Sequence, residues 1–377
     1  MTERLDRIRA AMADEGLDAL WISSPVDDVF GKHSMNRRYV SGFTGSAGHA
    51  LITRYDAFLA VDSRYVEQAE REAEARGFRI FPYKDRWTSW VPRFVREAGL
   101  PGKNIGVSQA DMSLGGFERL REAVDELPWA IRPRIGPASR ILEQLRHQKD
   151  AEEIALLKRA IEVADEAYER VEAAIQPGQT EQEIALAVER AVRDLGADGV
   201  SFDTIVAGGP WAAMPHASPR PEPIASGGML VIDMGAQCQG YCSDLTRTTF
   251  VGDPDARFRE IYEIVFDAQR AAIEGVEAGM PGSAAHELAH AVIRARGYGD
   301  AFGHGLGHGV GLEVHEAPYL GPSSEDTLEE GMVFTIEPGI YIPGWGGVRI
   351  EDVVMLENGK ARVLSHARKL TPGGARP

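Results

Sequence analysis

The chain has 377 residues, of which 44% are hydrophobic, and a formal net charge of −16. This length allows two domains with separate cores, and the excess of acidic residues disfavours nucleic acid and anionic membranes as partners. No apolar run is long enough to span a bilayer, the N-terminus lacks the apolar segment of a signal peptide, and two cysteines, Cys238 and Cys242, indicate a reducing cytoplasm.

Helical and strand patterns alternate in the first part of the chain. The predicted elements are a helix over 5–15, strands over 17–22, 50–53 and 57–61, a helix over 65–76, a strand over 78–81, a helix over 90–98, a strand over 105–107 and a helix over 117–124. This alternation predicts an α/β layer domain over residues 1–135.

A basic stretch with two prolines, residues 132–137, marks the end of the first domain. We predict a linker over 136–150 and a second domain over 151–377, which begins with a long amphipathic helix. Helices that flank antiparallel strand pairs make this second domain α+β in class.

The second domain contains an internal duplication. Residues 174–197 resemble residues 277–299, and each segment contains a Pro-Gly turn followed by a helix. Thr180 and Glu183 form the pattern of a helix-starting capping box. Two such halves, related by a pseudo-twofold axis, would bring their strands to the centre of one sheet.

Two similar pairs of acidic residues lie in the strands of this duplication. Asp233 and Asp244 belong to the first half, Glu337 and Glu351 to the second, and His308 lies between the pairs. We predict that the acids of each pair lie on neighbouring strands. Four carboxylates and one imidazole at one point would suit two hard divalent cations, which activate water for hydrolysis.

Two other motifs allow different interpretations. The glycine-rich segment around His308 could cradle phosphate, but its spacing does not match a dinucleotide-binding loop. His286, Glu287 and His290 form a literal H-E-x-x-H, which is the pattern of a zinc protease. The helix that carries this motif has an apolar stripe, however, and the stripe already explains the helix as a packing element.

His216, in a proline-rich loop, would ordinarily be exposed, although it could reach the acidic cluster.

Together these residues resemble the pita-bread (M24) metallopeptidase family, which includes aminopeptidase P, Xaa-Pro dipeptidase and methionine aminopeptidase. The order Asp233, Asp244, His308, Glu337 and Glu351 matches the family's five metal ligands. The resemblance implies that Asp244 and Glu351 bridge two metal ions. Asp233 would complete one metal site, and His308 and Glu337 would complete the other.

The resemblance also assigns residues around the metals. His216 and His315 match two outer histidines that contact substrate and stabilise the tetrahedral intermediate, so His216, His315 and Glu337 are the expected catalytic residues. Tyr341 and Arg349 match further active-site positions, and His304 lies where the family lines its proline pocket. The sequence leaves open whether His315 lies on a helix or in an extended segment.

The N-terminal half narrows the expected function. Residues 39–48 and 61–69 resemble the creatinase-like N-terminal domain of aminopeptidase P, which methionine aminopeptidases lack. Creatinase and non-catalytic binding modules of the same fold do without the ligands, whereas this chain has all five. The expected function is therefore Xaa-Pro aminopeptidase, with Xaa-Pro dipeptidase (prolidase) as the alternative and a non-catalytic binding module as a remote one.

The resemblance completes these expectations with a mechanism and an assembly. Two divalent cations would hold a bridging hydroxide, Glu337 would transfer the proton to the leaving prolyl nitrogen, and His216 and His315 would stabilise the oxyanion. One histidine among four carboxylates favours Mn²⁺, with Co²⁺ or Zn²⁺ also able to bind. Proline-containing peptides are the expected partners. Family members pair into dimers, so we expect a homodimer, and the sparse cysteines lead us to expect it in the cytoplasm.

Overall fold

The computed structural model describes residues 2–23 and 34–370. The chain divides into two compact units, Met1–Leu145 and Arg146–Pro377. The segment 136–150, expected to be a linker, contains the end of a strand and a short helix, Ile141–His147, that runs across this division. None of the helices in the described ranges combines the length and the apolar character that a bilayer-spanning helix needs.

The first unit is built around a six-stranded mixed sheet. Its elements are α1 (Thr2–Asp14), β1 (Ala19–Ser23), α2 (Met35–Ser41), β2 (His49–Thr53), β3 (Ala57–Asp62), α3 (Val66–Ala73), β4 (Arg79–Tyr83), α4 (Trp87–Glu97), β5 (Asn104–Val107), α5 (Leu114–Asp125), β6 (Arg134–Pro137) and α6 (Ile141–His147), which ends just past the division. The strand order is β4-β3-β2-β1-β5-β6. β2 and β3, adjacent in the chain, pair in antiparallel fashion.

Sequence periodicity missed α2 because the helix has only seven residues. Its N-cap is Ser34, whose side chain accepts a hydrogen bond from the Arg37 amide, and it ends at Gly42 with a φ of 72°. The limits of such a short helix are set by its N-cap residue and by the left-handed glycine at its C-terminus rather than by an apolar stripe.

The second unit contains four long helices and thirteen strands within the described residues. Its elements are α7 (Ala151–Glu172), α8 (Glu181–Asp194), β7 (Gly199–Val200), β8 (Ile205–Gly208), β9 (Gly228–Met234), β10 (Ala236–Cys238), β11 (Tyr241–Cys242), β12 (Leu245–Val251), α9 (Ala256–Gly275), α10 (Gly282–Ala295), β13 (Gly307–Gly309), β14 (Glu316–Leu320), β15 (Val333–Ile336), β16 (Gly339–Ile342), β17 (Gly346–Arg349), β18 (Asp352–Glu357) and β19 (Lys360–Val363). The predicted capping box of Thr180 and Glu183 is present at the start of α8.

The duplication appears as two helix pairs, each packed on its own strands. Apolar residues of α7 and α8 form one core with β8, β9 and β12, and those of α9 and α10 form another with β15 and β18. In each half the acidic residues lie in or next to the ends of neighbouring antiparallel strands, since β9 pairs with β12 and β15 with β18.

The strands of the two halves do not form the single sheet that the sequence suggested. One sheet has the order β12-β9-β8 and the other β14-β13-β15-β18-β19. The halves instead meet through other hydrogen bonds: the Glu351 amide donates to the Thr246 carbonyl over 3.0 Å, and the Thr248 hydroxyl both accepts from the Arg349 amide and donates to its carbonyl. A side-chain hydroxyl therefore replaces part of a strand ladder at this junction, next to the acidic residues.

Candidate metal centre

Equivalent positions of the two halves hold the four carboxylates. Asp233 lies near the end of β9 and Asp244 directly precedes β12; Glu337 directly follows β15 and Glu351 directly precedes β18. His308 comes from the middle of β13, which pairs with β15. The antiparallel registers bring the end of one strand next to the start of its partner, so each pair of acids meets at one edge.

The five side chains and His315 form three overlapping groups of potential metal ligands. The groups are Asp233, Asp244 and Glu351; His308, Glu337 and Glu351; and Asp244, His308 and His315. Within each group, one ligand atom per residue lies within 4.8 Å of the others. The structure therefore brings together the five residues that the sequence singled out and places His315 beside them.

Burial and mutual repulsion dominate the electrostatics of the acids. Burial raises the pKa of Asp244 and Glu351 well above their usual values, and neighbouring carboxylates raise both further. Burial likewise raises the pKa of Asp233, although Arg349 opposes the effect. Glu337 differs, because contact with His308 outweighs burial and lowers its pKa to about 2.

This donor set fits divalent cations. Asp233 Oδ1 and Glu351 Oε1 are buried and have no hydrogen-bond partner among the described residues, an arrangement that is costly for carboxylate oxygens. The Gly309 carbonyl lies 3.2 Å from His308 Nδ1, so that nitrogen carries the proton, and Nε2 faces Glu337 at 3.2 Å and Asp244 at 3.6 Å. Oxygen-rich sites with one imidazole suit hard or borderline divalent ions.

A chain of hydrogen bonds, buried at Asp233 and partly buried beyond it, joins the acids to the predicted substrate residues. Arg349 donates to Asp233 Oδ2 over 2.6 Å and to the Tyr341 hydroxyl over 2.8 Å. The Tyr341 oxygen lies 2.9 Å from His304 Nε2, and His304 Nδ1 lies 2.7 Å from the Gly305 carbonyl. Because that carbonyl can only accept, Nδ1 of His304 carries the proton and Nε2 accepts from Tyr341.

Two threonines that the sequence reasoning missed orient the carboxylates. The Thr246 hydroxyl donates to Glu351 Oε2 over 2.7 Å and accepts from Arg349 Nε. Thr335 donates to Glu337 Oε1 over 3.2 Å and accepts from the His308 amide. Thr246 follows Asp244 by two residues and Thr335 precedes Glu337 by two, so the period-two spacing of extended chain could have placed both threonines on the side of an acid.

The four acids and His308 open onto a cavity of about 650 Å³. The residues on its wall include Phe202, Asp203, Thr204, Pro215, His216, His304, Val314, His315, Tyr319, Leu320 and Arg349 beside the four acids and His308. Phe202, Asp203 and Tyr319 were not anticipated, because they lie in loops and on an edge strand with no local motif. The cavity combines apolar walls with a charged floor.

His216 and His315 both lie in irregular segments at this cavity. His216 is exposed in a turn, and His315 is exposed at the end of a bend over 311–315, so neither a helix nor a strand holds it. Its ring centroid lies 4.2 Å from that of His308. Partial desolvation by the surrounding cavity and the adjacent His308 lower the pKa of His315, so this imidazole is neutral at neutral pH.

The H-E-x-x-H helix forms no comparable site. His286 is buried and stacks on Phe302 with ring centroids 5.2 Å apart, and His290 stacks on His286. His290 Nδ1 lies 3.3 Å from Glu287. Across the described part of the chain, none of the potential ligand groups includes these residues, so the motif serves packing.

Comparisons with known proteins agree with this architecture. Residues 155–358 match the profile described as Metallopeptidase family M24, and residues 4–148 match the Creatinase/Prolidase N-terminal domain. The chain is 35% identical to a Xaa-Pro dipeptidase of Pyrococcus furiosus over 98% of its own length and all of the relative's. The predicted fold class and family resemblance are thereby confirmed.

Solved structures give the same result. A Xaa-Pro dipeptidase from Bacillus anthracis superposes with a TM-score of 0.89 at 38% identity, covering 98% of each chain. An X-Pro aminopeptidase from Thermotoga maritima superposes with a TM-score of 0.86 at 34% identity, covering 97% of this chain and 98% of the other.

Proposed function

Because the chain belongs to metallopeptidase family M24, we propose that it hydrolyses the bond before proline in Xaa-Pro dipeptides at the candidate metal centre. The observation that carries the proposal is the overlap of the ligand groups: Asp244, His308 and Glu351 each belong to two of them. Shared ligands are what a site for two closely spaced cations requires.

The choice between dipeptidase and aminopeptidase differs from the one that the sequence favoured. Sequence motifs suggested Xaa-Pro aminopeptidase, whereas the relatives from Pyrococcus furiosus and Bacillus anthracis are named Xaa-Pro dipeptidases. These names support the alternative better than the first expectation. Xaa-Pro aminopeptidase remains the second candidate, because the Thermotoga maritima structure carries that name.

Two divalent cations would occupy the centre, with Asp244 and Glu351 shared between them. Asp233 would complete one site, and His308 and Glu337 the other. When bound, such cations lower the pKa of water and polarise a carbonyl oxygen. Four carboxylates and one imidazole favour Mn²⁺, with Co²⁺ or Zn²⁺ as substitutes.

The chain's own residues would move the proton and stabilise charge. Glu337, with its pKa lowered to about 2 by His308, is ionised and can accept a proton from the attacking water and return it to the prolyl nitrogen. His315 is neutral and lies beside His308, so it can donate a hydrogen bond to the oxyanion. His216 lines the same cavity and would assist it.

His304, Tyr341 and Arg349 would hold the prolyl residue. Burial raises the pKa of Tyr341 to about 12, so its hydroxyl remains protonated while it donates to His304. Burial also lowers the pKa of His304, which keeps its ring neutral. His304, which lines the cavity, thus presents an uncharged imidazole that suits contact with a pyrrolidine ring.

The proposal also includes the assembly, the compartment and the domain limits of the chain. We propose a homodimer in the cytoplasm, with domains over 1–135 and 151–377. Cys238 and Cys242 are both buried and are not joined in a disulfide, which supports a reducing compartment. The approximate domain limits are supported by the division after Leu145.

A peptide-length series with metal analysis tests the function. Ala-Pro, Ala-Pro-Ala and longer Ala-Pro peptides are compared with Mn²⁺ present, and bound metal is counted by elemental analysis. Cleavage of Ala-Pro alone supports the dipeptidase. Comparable cleavage of the longer peptides would assign the aminopeptidase, and absence of both metal and turnover would leave a binding module.

A further inference from the structure

The carboxylate of Glu316, next to His315 in sequence, lies in a buried ionic cluster. Glu316 Oε2 accepts a hydrogen bond from Arg146 Nη2 over 2.5 Å, and Oε1 lies 2.9 Å from Lys149 Nζ. The side chains of Arg146, Lys149 and Glu316 are only 4%, 1% and 8% exposed. We call these three residues the Glu316 cluster. Burial opposes ionisation of Glu316, but Lys149 and Arg146 outweigh it and lower the pKa of the carboxyl.

The Glu316 carboxylate fills the inside of the turn that leads to His315. A Cβ atom placed on Gly311 would lie 2.3 Å from Glu316 Oε1, so the turn's backbone packs directly on the carboxylate. The Glu313 amide also points to Glu316 Oε2 over 3.4 Å, and the Gly311 amide donates to the Glu313 carbonyl over 3.0 Å. The Glu316 carboxylate therefore contacts the backbone of this turn at both Gly311 and Glu313.

The same turn is attached to the metal centre. The Gly311 carbonyl accepts from the Cys242 amide over 2.8 Å, two residues before Asp244. No hydrogen bond from any described residue holds the exposed ring of His315; its contact is with the ring of His308. The location of the His315 imidazole consequently depends on the backbone of the turn.

We propose that Glu316 is a positioning residue for hydrolysis, acting through His315. Its ion pairs with Arg146 and Lys149 hold the turn so that the His315 imidazole faces the scissile carbonyl, while Glu316 itself touches neither metal nor substrate. The inference rests on the proposed function, since it needs His315 to act on the substrate. A displacement of about 1 Å at such a group lowers turnover by up to about 100-fold.

A double-mutant cycle tests this role, because it separates coupling between two residues from independent damage. Glu316→Gln is made in the parent enzyme and in His315→Ala, and kcat, KM and bound metal are measured with Ala-Pro. In the parent, kcat is expected to fall by at least about tenfold with metal content unchanged. In His315→Ala, the same substitution is expected to lower kcat by less than about twofold.

A second substitution guards against a folding defect. Lys149→Met removes one buried cation and keeps the Arg146–Glu316 pair, so the chain retains a compensated carboxylate. It is expected to lower kcat several-fold in the parent and to have no further effect in His315→Ala. If Glu316→Gln does not fold, the Lys149→Met cycle tests the positioning role instead.

Glu313→Gln is the matched control, because Glu313 also contacts Arg146, at 2.8 Å, but its side chain is 49% exposed.

The outcomes are distinguishable. If Glu316→Gln lowers kcat by the same factor in the parent and in His315→Ala, or if it loses bound metal, the positioning role is overturned and the proposed function stays intact. An enzyme that cleaves no Xaa-Pro peptide, or whose kcat is unaffected by His315→Ala, would contradict the proposed function or the role of His315 in it. Only a His315-dependent effect of Glu316 supports the inference.

Discussion

Arg349 donates a hydrogen bond to Oδ2 of Asp233 over 2.6 Å, while Oδ1 of the same carboxylate is buried without a partner among the described residues. The guanidinium thus favours ionisation of Asp233, whose pKa burial alone would raise further. Oδ2 of Asp233 is therefore hydrogen-bonded to the protein, and Oδ1 is available to bind a cation.

Replacement of Arg349 is expected to make metal binding more dependent on pH. In Arg349→Met the pKa of Asp233 rises, because the guanidinium that lowers it is gone. Protons then compete better with the cation, so the Mn²⁺ concentration for half-saturation rises most at low pH and approaches the parent value as pH increases. Calorimetric Mn²⁺ titrations at several pH values measure this, with Arg362→Met as the exposed-arginine control. Equal affinities at every pH would show that the ion pair does not influence the site.

Asp244 is expected to be indispensable, whereas the H-E-x-x-H helix is not. Asp244→Asn removes a charge that two ligand groups share, so kcat/KM should fall by about 100-fold or more and bound metal should decrease. His290→Ala, on the packed helix, should change kcat/KM by less than about twofold. Steady-state kinetics and elemental analysis of the two variants measure these effects. If His290→Ala abolished activity and Asp244→Asn spared it, the chain would be a zinc protease.

Activity is expected to decline in acid through loss of metal. Burial and carboxylate repulsion raise the pKa of Asp244 and Glu351, so protonation of these groups begins at a higher pH than for ordinary carboxyls and competes with cations. The acidic limb of the pH–activity profile should therefore shift to lower pH when Mn²⁺ is increased. Profiles recorded at two Mn²⁺ concentrations test this, and a limb that does not move would assign the decline to another group.

Arg247 is expected to support the fold behind the metal centre. It forms an ion pair with Asp352 at 2.7 Å, with side chains 1% and 0% exposed, and also donates to the Glu351 carbonyl. Removing one partner of a buried pair costs about 3–5 kcal/mol, so Arg247→Met should lower the free energy of unfolding by that amount. Urea denaturation at fixed metal concentration measures it. Arg362→Gln, which breaks an exposed pair with Glu357, should cost no more than about 1 kcal/mol.

The pH dependence of this stability has a defined sign. Burial opposes ionisation of Asp352, but Arg247 and Lys369 outweigh it and lower its pKa. Its contribution is present above the unfolded pKa of about 3.9 and is lost as pH falls through the lower folded value. The parent should lose stability in that acidic window, and Arg247→Met should lose less there. A variant whose stability falls as steeply as the parent's would contradict the assigned role of Asp352.

The sequence alone identified the elements with strong local signals. Amphipathic periodicity predicted the long helix at 151, the capping-box residues Thr180 and Glu183 located the start of α8, and matched acidic residues in a duplicated region located the side chains that the structure brings together. These features are encoded in short stretches of chain, where periodicity and capping depend on neighbouring residues.

The tertiary structure alone decided how the two halves join and how the site is held. Strand pairing in two sheets, the Thr248 junction with Arg349 and the orienting roles of Thr246 and Thr335 depend on contacts between residues far apart in sequence. Periodicity gives the face of a strand but not its partner. The same limit applies to His315, whose irregular turn packs on a carboxylate that is buried against Arg146 and Lys149.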